Sequence, residues 1–594
     1  MADRSFAVLD APNPTYLWTQ LLVEELVRNG VEIFFVAPGS RSTPLTVAAA
    51  RHPDAETILH VDERGNAFAA LGCGRATQTP AAWITTSGTA VANGLPAVVE
   101  ASVDSVPLLL LTADRPPELR DTGANQTIDQ VKIFGDFVRW QVDVPPPSDD
   151  IDPAYVLTTA DQALHRTVRP PAGPVHVNCM FRKPLEPVET ASSVAIPTAV
   201  EKWAAGSDPY TQYPTPVPTS PGLEVEALAE ALGPTEKGLV VAGRLDTPAA
   251  ADATQRLATR LGWPLVSNLM SRLRLGGEQG VGHVPYGDLV LTSEPFREAH
   301  TPEAVLQVGG RFASKRLRLF LRDSAPDVWA VVRPDPSRID PDHRVTHHVE
   351  ANIPAFADAL IARLHDGSDV TDWRDAWTTA SDRAEAVVRD HADEADALTE
   401  PLVATVLTDE MPPSHALVAA SSMPVRDLNR HGSADGGAGP AYANRGASGI
   451  DGTVATAAGV ATGRDGPVTL LIGDLALWHD LNGLALLQDR PVVVIVVNND
   501  GGGIFHFLPI REHDDFDPYF TTPHGRDFED AAATFGLPYH RPETPLAFRA
   551  AYREACESGA SGLLEVQTDR EANRRVHETL EEEVAAAVGK DPAI

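Results

Sequence analysis

Lysine is the scarcest charged residue in this sequence of 594 residues. Only six of the 48 basic residues are lysine, and 82 acidic residues give a formal net charge of −34. So much negative charge excludes a general nucleic-acid binder, because the phosphate backbone would be repelled. An acidic, arginine-rich balance is typical of a high-salt cytoplasm, where screening over ~3 Å at 1 M salt suppresses self-repulsion. We therefore expect a halophilic protein.

Long apolar runs and paired cysteines are also missing. No stretch reaches the ~18 apolar residues of a membrane helix, and the N-terminus is acidic without an apolar core. The three cysteines, Cys73, Cys179 and Cys556, are too widely separated for a zinc motif or a disulfide framework. These absences predict a cytoplasmic protein without a membrane partner.

Strand-like runs alternate with helical stretches along the chain, which favours an α/β fold with parallel sheets in several domains. We interpret the proline-rich stretch 191–222 as a linker. The predicted domains cover 1–190, 223–366 and 367–594. Within the middle one, GLVVAGRLD resembles a Rossmann first turn but lacks the glycine spacing of a dinucleotide site, so we expect no cofactor there.

The segment 469–509 predicts two strands and a crossover around which the chain is organised. We expect strands over Thr469–Ile472 and Val492–Val497, joined by a helix over Asp480–Leu487. A right-handed crossover brings both carboxyl ends to one edge, so Asp474 and Asn499 should meet there.

A metal-bridged diphosphate fits this edge. A carboxylate, an amide oxygen and a carbonyl freed by a glycine turn are ligands that suit Mg²⁺, so we predict Asp474, Asn499 and the Gly501 carbonyl. The glycines at 501–503 let the backbone approach a diphosphate closely. The alternative is an ordinary strand pair with a polar rim.

Polar residues follow several other strands. Ser40 and Arg41 in APGSRSTPL form a candidate anion clamp, or else a helix cap with a surface arginine. Arg115, Asn125 and Gln126 crowd a long loop of the kind that binds ligands.

Five more residues with a positive charge or a hydroxyl group stand at strand-to-helix turns. Lys315 and Arg316 would suit a carboxylate, or form a basic helical face. Ser422 and Arg426 follow a strand in SSMPVRDL, and Arg445 stands on the glycine turn of ANRGASGIDG. A short strand also ends next to Glu63 in DERGNAFAALG, where a solvated glutamate is the commonest explanation without other context.

Taken together, APGSRSTPL, DERGNAFAALG, TADRPPELRDTGANQTIDQ, SKRL, NRGASGIDG and NNDGGGIFHFLP resemble the motifs of one family of thiamin-diphosphate enzymes. It is the 2-succinyl-5-enolpyruvyl-6-hydroxy-3-cyclohexene-1-carboxylate synthase family. Leu475 departs from the general signature of such enzymes, which has a glycine after the aspartate. The resemblance implies a pyrimidine-binding, a middle and a diphosphate-binding domain, all doubly wound.

The resemblance also implies cofactors, substrates and assembly. The cofactors are thiamin diphosphate and Mg²⁺, for which Mn²⁺ can substitute. The implied reaction decarboxylates 2-oxoglutarate and adds the remaining succinyl semialdehyde unit to isochorismate, for menaquinone biosynthesis. The implied assembly is a homodimer or homotetramer with active sites at the subunit interface.

Roles for individual residues follow from the same resemblance. Glu63 is implied to be catalytic, hydrogen-bonding the aminopyrimidine ring of the cofactor. The implied cofactor ligands are Ser422, Gly449, Ile450, Asp474, Asn499, Gly501, Ile504 and Phe505. The implied substrate ligands are Ser40, Arg41, Arg115, Asn125, Gln126, Lys315, Arg316, Arg426, Arg445 and Leu508.

Two other functions are alternatives to the synthase reaction. A 2-oxoacid decarboxylase or an acetohydroxyacid synthase handles smaller or less charged acceptors and would not need so many cations. A non-catalytic scaffold would lack Glu63 or the metal ligands, and all of them are present.

Overall fold

The computed structural model describes residues 8–190, 195–214, 222–276, 280–365, 370–437 and 439–589. They belong to two compact units, which are described separately. Unit 1 comprises 1–216, 444–465 and 479–490, and unit 2 comprises 217–443, 466–478 and 491–594. None of the described helices is both long and apolar enough to cross a membrane.

Unit 1 contains one parallel sheet. Its strands are β1 (Ile33–Val36), β2 (Glu56–Leu59), β3 (Ala81–Thr85), β4 (Leu108–Asp114), β5 (Trp140–Val144) and β6 (Pro174–Met180), in the order β2-β1-β3-β4-β6-β5. The helices up to residue 204 are α1 (Pro14–Arg28), α2 (Thr43–Arg51), α3 (Glu63–Thr77), α4 (Thr89–Ala92), α5 (Leu95–Val103), α6 (Ala154–Val168) and α7 (Thr198–Ala204).

Unit 2 contains two more parallel sheets. The strands of the first are β7 (Gly238–Ala242), β8 (Leu265–Ser267), β9 (His283–Val284), β10 (Ala304–Val308), β11 (Val328–Arg333) and β12 (His347–Glu350). The strands of the second are β13 (Ala416–Ala419), β14 (Ala441–Tyr442), β15 (Val468–Gly473), β16 (Val492–Asn498), β17 (Tyr539–His540) and β18 (Gly562–Gln567).

The strand orders of these sheets differ. The sheet of β7 to β12 has the order β12-β11-β10-β7-β8-β9, which is the strand order of a Rossmann fold. The sheet of β13 to β18 has the order β14-β13-β15-β16-β18-β17 and thus repeats the topology of unit 1. Three doubly wound parallel sheets confirm the predicted fold class.

The remaining helices complete the chain. They are α8 (Gly222–Leu232), α9 (Pro248–Leu261), α10 (Gly287–Val290), α11 (Glu294–Ala299), α12 (Lys315–Ser324), α13 (Ile353–Ile361), α14 (Thr371–Glu394), α15 (Glu400–Glu410), α16 (Pro424–His431), α17 (Thr453–Arg464), α18 (Asp474–His479), α19 (Glu529–Thr534), α20 (Pro545–Ser558) and α21 (Arg570–Val588). Of these, α17 lies in unit 1. Several helices begin with a polar cap followed by proline, a pairing that satisfies one free backbone N–H and presets the helical φ.

Helices α3 and α17 pack backbone to backbone in unit 1, which positions two of the predicted motifs. A Cβ on Gly72 would lie 2.2 Å from the carbonyl oxygen of Thr456, and one on Gly459 would lie 1.9 Å from that of Ala69. Only glycine permits so close an approach. The small-residue composition of both helices is therefore a packing requirement.

The predicted crossover helix over Asp480–Leu487 is present as a 3-10 helix over Leu481–Leu487. The short helix α18, which begins directly after β15, was not predicted. The buried Asp480 accepts a hydrogen bond from the backbone N–H of Ala455 at 3.1 Å. This hydrogen bond to α17 lies between α18 and the 3-10 helix and fixes the chain at that point. Its donor is distant in sequence, so the local pattern of apolar residues could not predict it.

The predicted linker 191–222 lies partly outside the described residues. Its described part contains α7, whose Trp203 is buried and donates its indole N–H to Glu25 at 2.6 Å. The domain borders themselves stay a prediction.

Candidate active site

In unit 2, the carboxyl ends of β15 and β16 bring the predicted metal ligands to one edge of the sheet. The strands pair in register, so Asp474 begins α18 next to the point where Asn499 leaves β16. The buried Asp474 carboxylate accepts backbone N–H bonds from Leu475 at 2.6 Å and Gly501 at 2.8 Å. The Nε2 atom of His524 lies 3.1 Å from it. Burial raises the pKa of Asp474, so a cation at this position would relieve an unfavourable charge.

The amide of Asn499 is held in one orientation. Its Nδ2 donates to Glu400 Oε1 at 2.8 Å, while its Oδ1 is buried and has no hydrogen-bond partner within the described part of the chain. Burial raises the pKa of Glu400 to about 7, and the charge of Asp474 adds to the rise. An unpaired buried amide oxygen beside a carboxylate is the donor set that a magnesium ion takes.

The glycine loop after β16 admits no larger residue. Gly501 has φ +132°, and a Cβ there would lie 1.9 Å from the carbonyl oxygen of Thr521. A Cβ on Gly502 would lie 2.2 Å from the carbonyl oxygen of Phe520. The backbone is therefore pinned in a conformation that brings it close to any group bound at the edge.

The implied ligands Ile504 and Phe505 lie on a 3-10 helix over Gly503–Phe507, and Leu508 follows it. Ile504 and Phe505 are half-buried, and the ring of Phe505 meets that of Phe520 edge to face at 5.4 Å. Leu508 is exposed. The stretch presents apolar surface next to the metal-ligand edge.

Ser422 lies in the turn between β13 and α16, and Arg426 lies in the first turn of α16. Ser422 has φ +74°, and its carbonyl accepts a hydrogen bond from Arg426 Nη1. The serine is thereby locked at the carboxyl end of β13, the edge at which ligands bind in such sheets.

The two predicted cations of α12 have different surroundings. Arg316 pairs with the buried Asp288 at 2.7 Å and with Glu581 at 2.8 Å. Both side chains line a cavity of 570 Å³, but Lys315 has no ion pair within the described ranges. The charge of Arg316 is therefore balanced by protein, whereas that of Lys315 is available to a ligand.

In unit 1, Arg41 and Arg115 form a cationic pair at the carboxyl ends of β1 and β4. Arg41 is buried and donates Nη1–H to the carbonyl of Phe181 at 2.6 Å, and Arg115 donates to that of Asn125 at 3.0 Å. Both Nε–H groups are buried without a partner in the described residues. Burial, and then the charge of Arg115, lower the pKa of Arg41. Such a pair favours an anion.

The loop after β4 is fixed to the turn after β3. Gln126, with φ +55°, donates its amide to the carbonyl of Ser87 at 2.9 Å and accepts from the Ser87 hydroxyl at 3.0 Å. Ser40 is exposed on the β1 turn. The structure thus brings Arg41, Arg115, Asn125 and Gln126 into one region, and their role as an anion site stays a prediction.

Glu63 is the first residue of α3 and is half-buried. Asp62 caps the helix, and the carboxylate of Glu63 accepts a hydrogen bond from Asn93 at 3.2 Å. Its other oxygen has no hydrogen bond among the described residues. A carboxylate held by one side-chain bond is free to meet a ring nitrogen.

The glycine turn that carries Arg445, Gly449 and Ile450 is clamped by a buried carboxylate. Glu100 accepts backbone N–H bonds from Gly446 at 2.8 Å and Ala447 at 2.6 Å. Arg75 holds that carboxylate from the other side at 3.0 Å. The turn therefore has a fixed conformation within unit 1.

Several residues that shape these groups were missed in the sequence. Glu400 follows a helix cap and resembles an ordinary first-turn acid, while Glu100 and His524 stand in no motif. Their roles depend on chain segments far away in sequence. The sequence held a signal for Glu100 alone. The run Asn-Arg-Gly-Ala-Ser forms a turn whose backbone N–H groups need an acceptor.

Three protein-family profiles match the chain. They are the thiamine pyrophosphate enzyme N-terminal TPP binding domain over 18–133, the middle domain of thiamine pyrophosphate over 196–418, and the C-terminal TPP binding domain over 438–566. Together with the three sheets and the donor groups after β15 and β16, these matches define a thiamin-diphosphate-dependent enzyme.

Full-length relatives narrow this class. Each is named 2-succinyl-5-enolpyruvyl-6-hydroxy-3-cyclohexene-1-carboxylate synthase. The relative from Salinibacter ruber is 78% identical over 99% of this chain and 100% of its own length. Those from Rubrobacter xylanophilus and Haloarcula marismortui are 54% and 40% identical, over 96% and 98% of this chain and 98% and 100% of their own lengths. The chain belongs to this synthase family.

Proposed function

We propose that this chain adds the succinyl semialdehyde unit of 2-oxoglutarate to isochorismate, with loss of CO₂, in menaquinone biosynthesis. Membership of the synthase family supports this reaction. The observation that carries the substrate assignment is the pair of the buried Arg41 and the half-buried Arg115, whose unpaired Nε–H groups suit a carboxylate. Both substrates are dianions, and the rest of the chain is strongly acidic.

The metal is proposed to be Mg²⁺, or Mn²⁺ in its place, bound by Asp474, Asn499 and the Gly501 carbonyl. The unpaired Oδ1 of Asn499 and the unfavourable buried charge of Asp474 support this assignment. Thiamin diphosphate, when bound, supplies an electron sink for the carbanion left by decarboxylation. Ile504 and Phe505 would exclude water from the reacting centre.

Glu63 is proposed to hold a proton with the aminopyrimidine ring of a cofactor bound by a neighbouring subunit. Its half-buried position and single hydrogen bond support that role. The proposed assembly is a homodimer or homotetramer with shared active sites. We also propose that the protein is cytoplasmic and halophilic, on the strength of its charge.

The remaining cations are proposed to divide the substrate carboxylates. Arg426, Arg445 and Lys315 would serve these, whereas Arg316 would position Lys315 through its pairs with Asp288 and Glu581. At an effective dielectric of ~20, a contact pair at ~4 Å gains ~4 kcal/mol before desolvation. Salt screens the distant acidic surface much more strongly, so local attraction outweighs global repulsion.

Product analysis with 2-oxoglutarate, at high salt and with isochorismate present or omitted, tests the reaction. We expect the succinylated product only when isochorismate is present. Arg115→Ala should raise KM for a substrate at least tenfold, because loss of a buried charge-assisted pair costs ~2–5 kcal/mol. The matched control is Arg182→Ala, which breaks only an exposed ion pair with Glu118. Normal KM values for both substrates in Arg115→Ala would contradict the assignment.

A further inference from the structure

Three metal-ligating side chains meet inside unit 2, away from the glycine loop. Asp427 and His431 are one helical turn apart on α16, and His577 lies on α21. One ligand atom from each lies within 4.8 Å of the others. His577 Nε2 is 3.3 Å from Asp427 Oδ1, and the two imidazole rings are 5.1 Å apart.

These side chains are buried but poorly satisfied. Each is at most 2% exposed. All four ring nitrogens of His431 and His577, and Oδ1 of Asp427, lack a hydrogen-bond partner among the described residues. A buried polar atom without a partner carries its full desolvation cost, so such a cluster calls for a group that supplies the missing bonds.

The electrostatic surroundings disfavour charge on all three side chains. Burial lowers the pKa of His431 and His577, and burial and the neighbouring Glu400 raise the pKa of Asp427. A neutral imidazole nitrogen and a carboxylate are the forms in which these side chains bind a metal ion.

Cationic neighbours would oppose a metal if they were uncompensated. The guanidinium groups that act on Asp427 are those of Arg430 and Arg426. Arg430 is balanced by Asp288 at 3.2 Å and Glu581 at 3.5 Å, and Arg426 is hydrogen-bonded to the Ser422 carbonyl. His391, which is half-buried, and the buried Arg274 also act on His431; Arg274 donates to the carbonyl of Gly432 at 2.7 Å.

We propose that Asp427, His431 and His577 bind a divalent transition-metal ion of the zinc type. Two imidazole nitrogens and one carboxylate oxygen are ligands for such an ion, whereas the all-oxygen group around Asp474 suits Mg²⁺. The fourth position is left for water.

Glu400 lies between this proposed site and the carboxyl ends of β15 and β16, where the glycine loop begins. Glu400 is close enough to Asp427 to raise the pKa of that carboxyl, and it accepts a hydrogen bond from Asn499 Nδ2 at 2.8 Å. An ion on Asp427 would therefore act on the charge of Glu400, which in turn holds the amide of Asn499 in its orientation. Glu400 is a positioning residue in both sites.

The test is the metal content of the full chain, expressed with added Zn²⁺ and then exchanged into chelated buffer containing Mg²⁺. We expect about one zinc per chain in the parent, as in other three-ligand sites. His431→Leu and His577→Leu should lose it. The matched control is His391→Leu, because its Nε2 is also buried and unpaired but lies outside the triad.

Cobalt provides a readout that needs no variant. Co²⁺ in the parent should give the visible d–d absorption of a low-coordinate site, and Zn²⁺ should displace it. Glu400→Gln should weaken Co²⁺ binding about 10- to 100-fold, as outer-ligand changes do. A parent that takes up neither zinc nor cobalt, or a folded His431→Leu that keeps the zinc content of the parent, would overturn the proposal.

Discussion

Asp474→Asn should weaken metal-dependent cofactor binding at least ~30-fold while leaving the metal-free fold almost as stable as before. The change keeps the volume of the side chain and removes its charge. Asp474 is buried and already costs free energy as an anion, since burial is the largest influence on its raised pKa. Without a metal, the chain has no divalent charge to offset that cost.

The magnitude follows from the contacts of the carboxylate. The carboxylate accepts from the N–H groups of Leu475 and Gly501 and from Nε2 of His524. In the asparagine variant one oxygen is replaced by Nδ2, a donor, so at least one of these hydrogen bonds is lost. A lost hydrogen bond to a charged group costs about 1.5–3 kcal/mol, but relief of the buried charge opposes it. With Mg²⁺, loss of a buried charge pair costs ~2–5 kcal/mol. At 1.4 kcal/mol per tenfold, that weakens cofactor binding by about 30-fold to several thousand-fold.

Two measurements check this reasoning. Titration calorimetry gives the thiamin-diphosphate affinity with and without Mg²⁺, and thermal unfolding gives the stabilisation by both together. At 100 times Kd, a ligand stabilises the parent by about 2.7 kcal/mol, and the variant should lose this gain. Asp515→Asn is the control, with the same charge change at an exposed ion pair. Parental affinity in Asp474→Asn would refute the metal assignment.

Three further predictions concern activation, salt and pH. Glu63→Gln should bind the cofactor but exchange its thiazolium proton slowly by NMR, and a parental rate would exclude the proposed role. Thermal unfolding should occur at a lower temperature as KCl falls from ~3 M to ~0.1 M, because screening of the net charge weakens; an unchanged midpoint would contradict halophilicity. Burial raises the pKa of Glu25 to about 8. Between pH ~4.3 and pH ~8 the folded chain therefore keeps a proton that the unfolded chain has released. The free energy of unfolding should then fall as the pH rises through this range. Glu25→Gln should flatten that fall in pH-dependent unfolding, and a parental slope would contradict it.

The sequence by itself determined the features that short segments encode. The apolar runs of β15 and β16 require burial on both faces, and the glycines after them are readable because no other residue tolerates that backbone. The positions of the arginines at strand ends could be read from the sequence, and the anion site that they were predicted to form stays a prediction.

Local pattern failed where distant contacts decide the conformation. The crossover after Asp474 is a short α-helix and a 3-10 helix because Asp480 is tied to α17, and the proline-rich segment near 200 forms α7 because Glu25 receives the indole of Trp203. The composition of these segments does not show that Asp480 and Glu25 accept hydrogen bonds from distant parts of the chain.

Only the tertiary structure decided which polar groups face each other. It separated Lys315 from Arg316 by giving the arginine two carboxylates, and it placed Glu400 against both Asn499 and Asp427. It also brought His577 to His431 across more than a hundred residues. The energies of such groups depend on burial and on partners from other elements, and neither is set by the residues beside them in the chain.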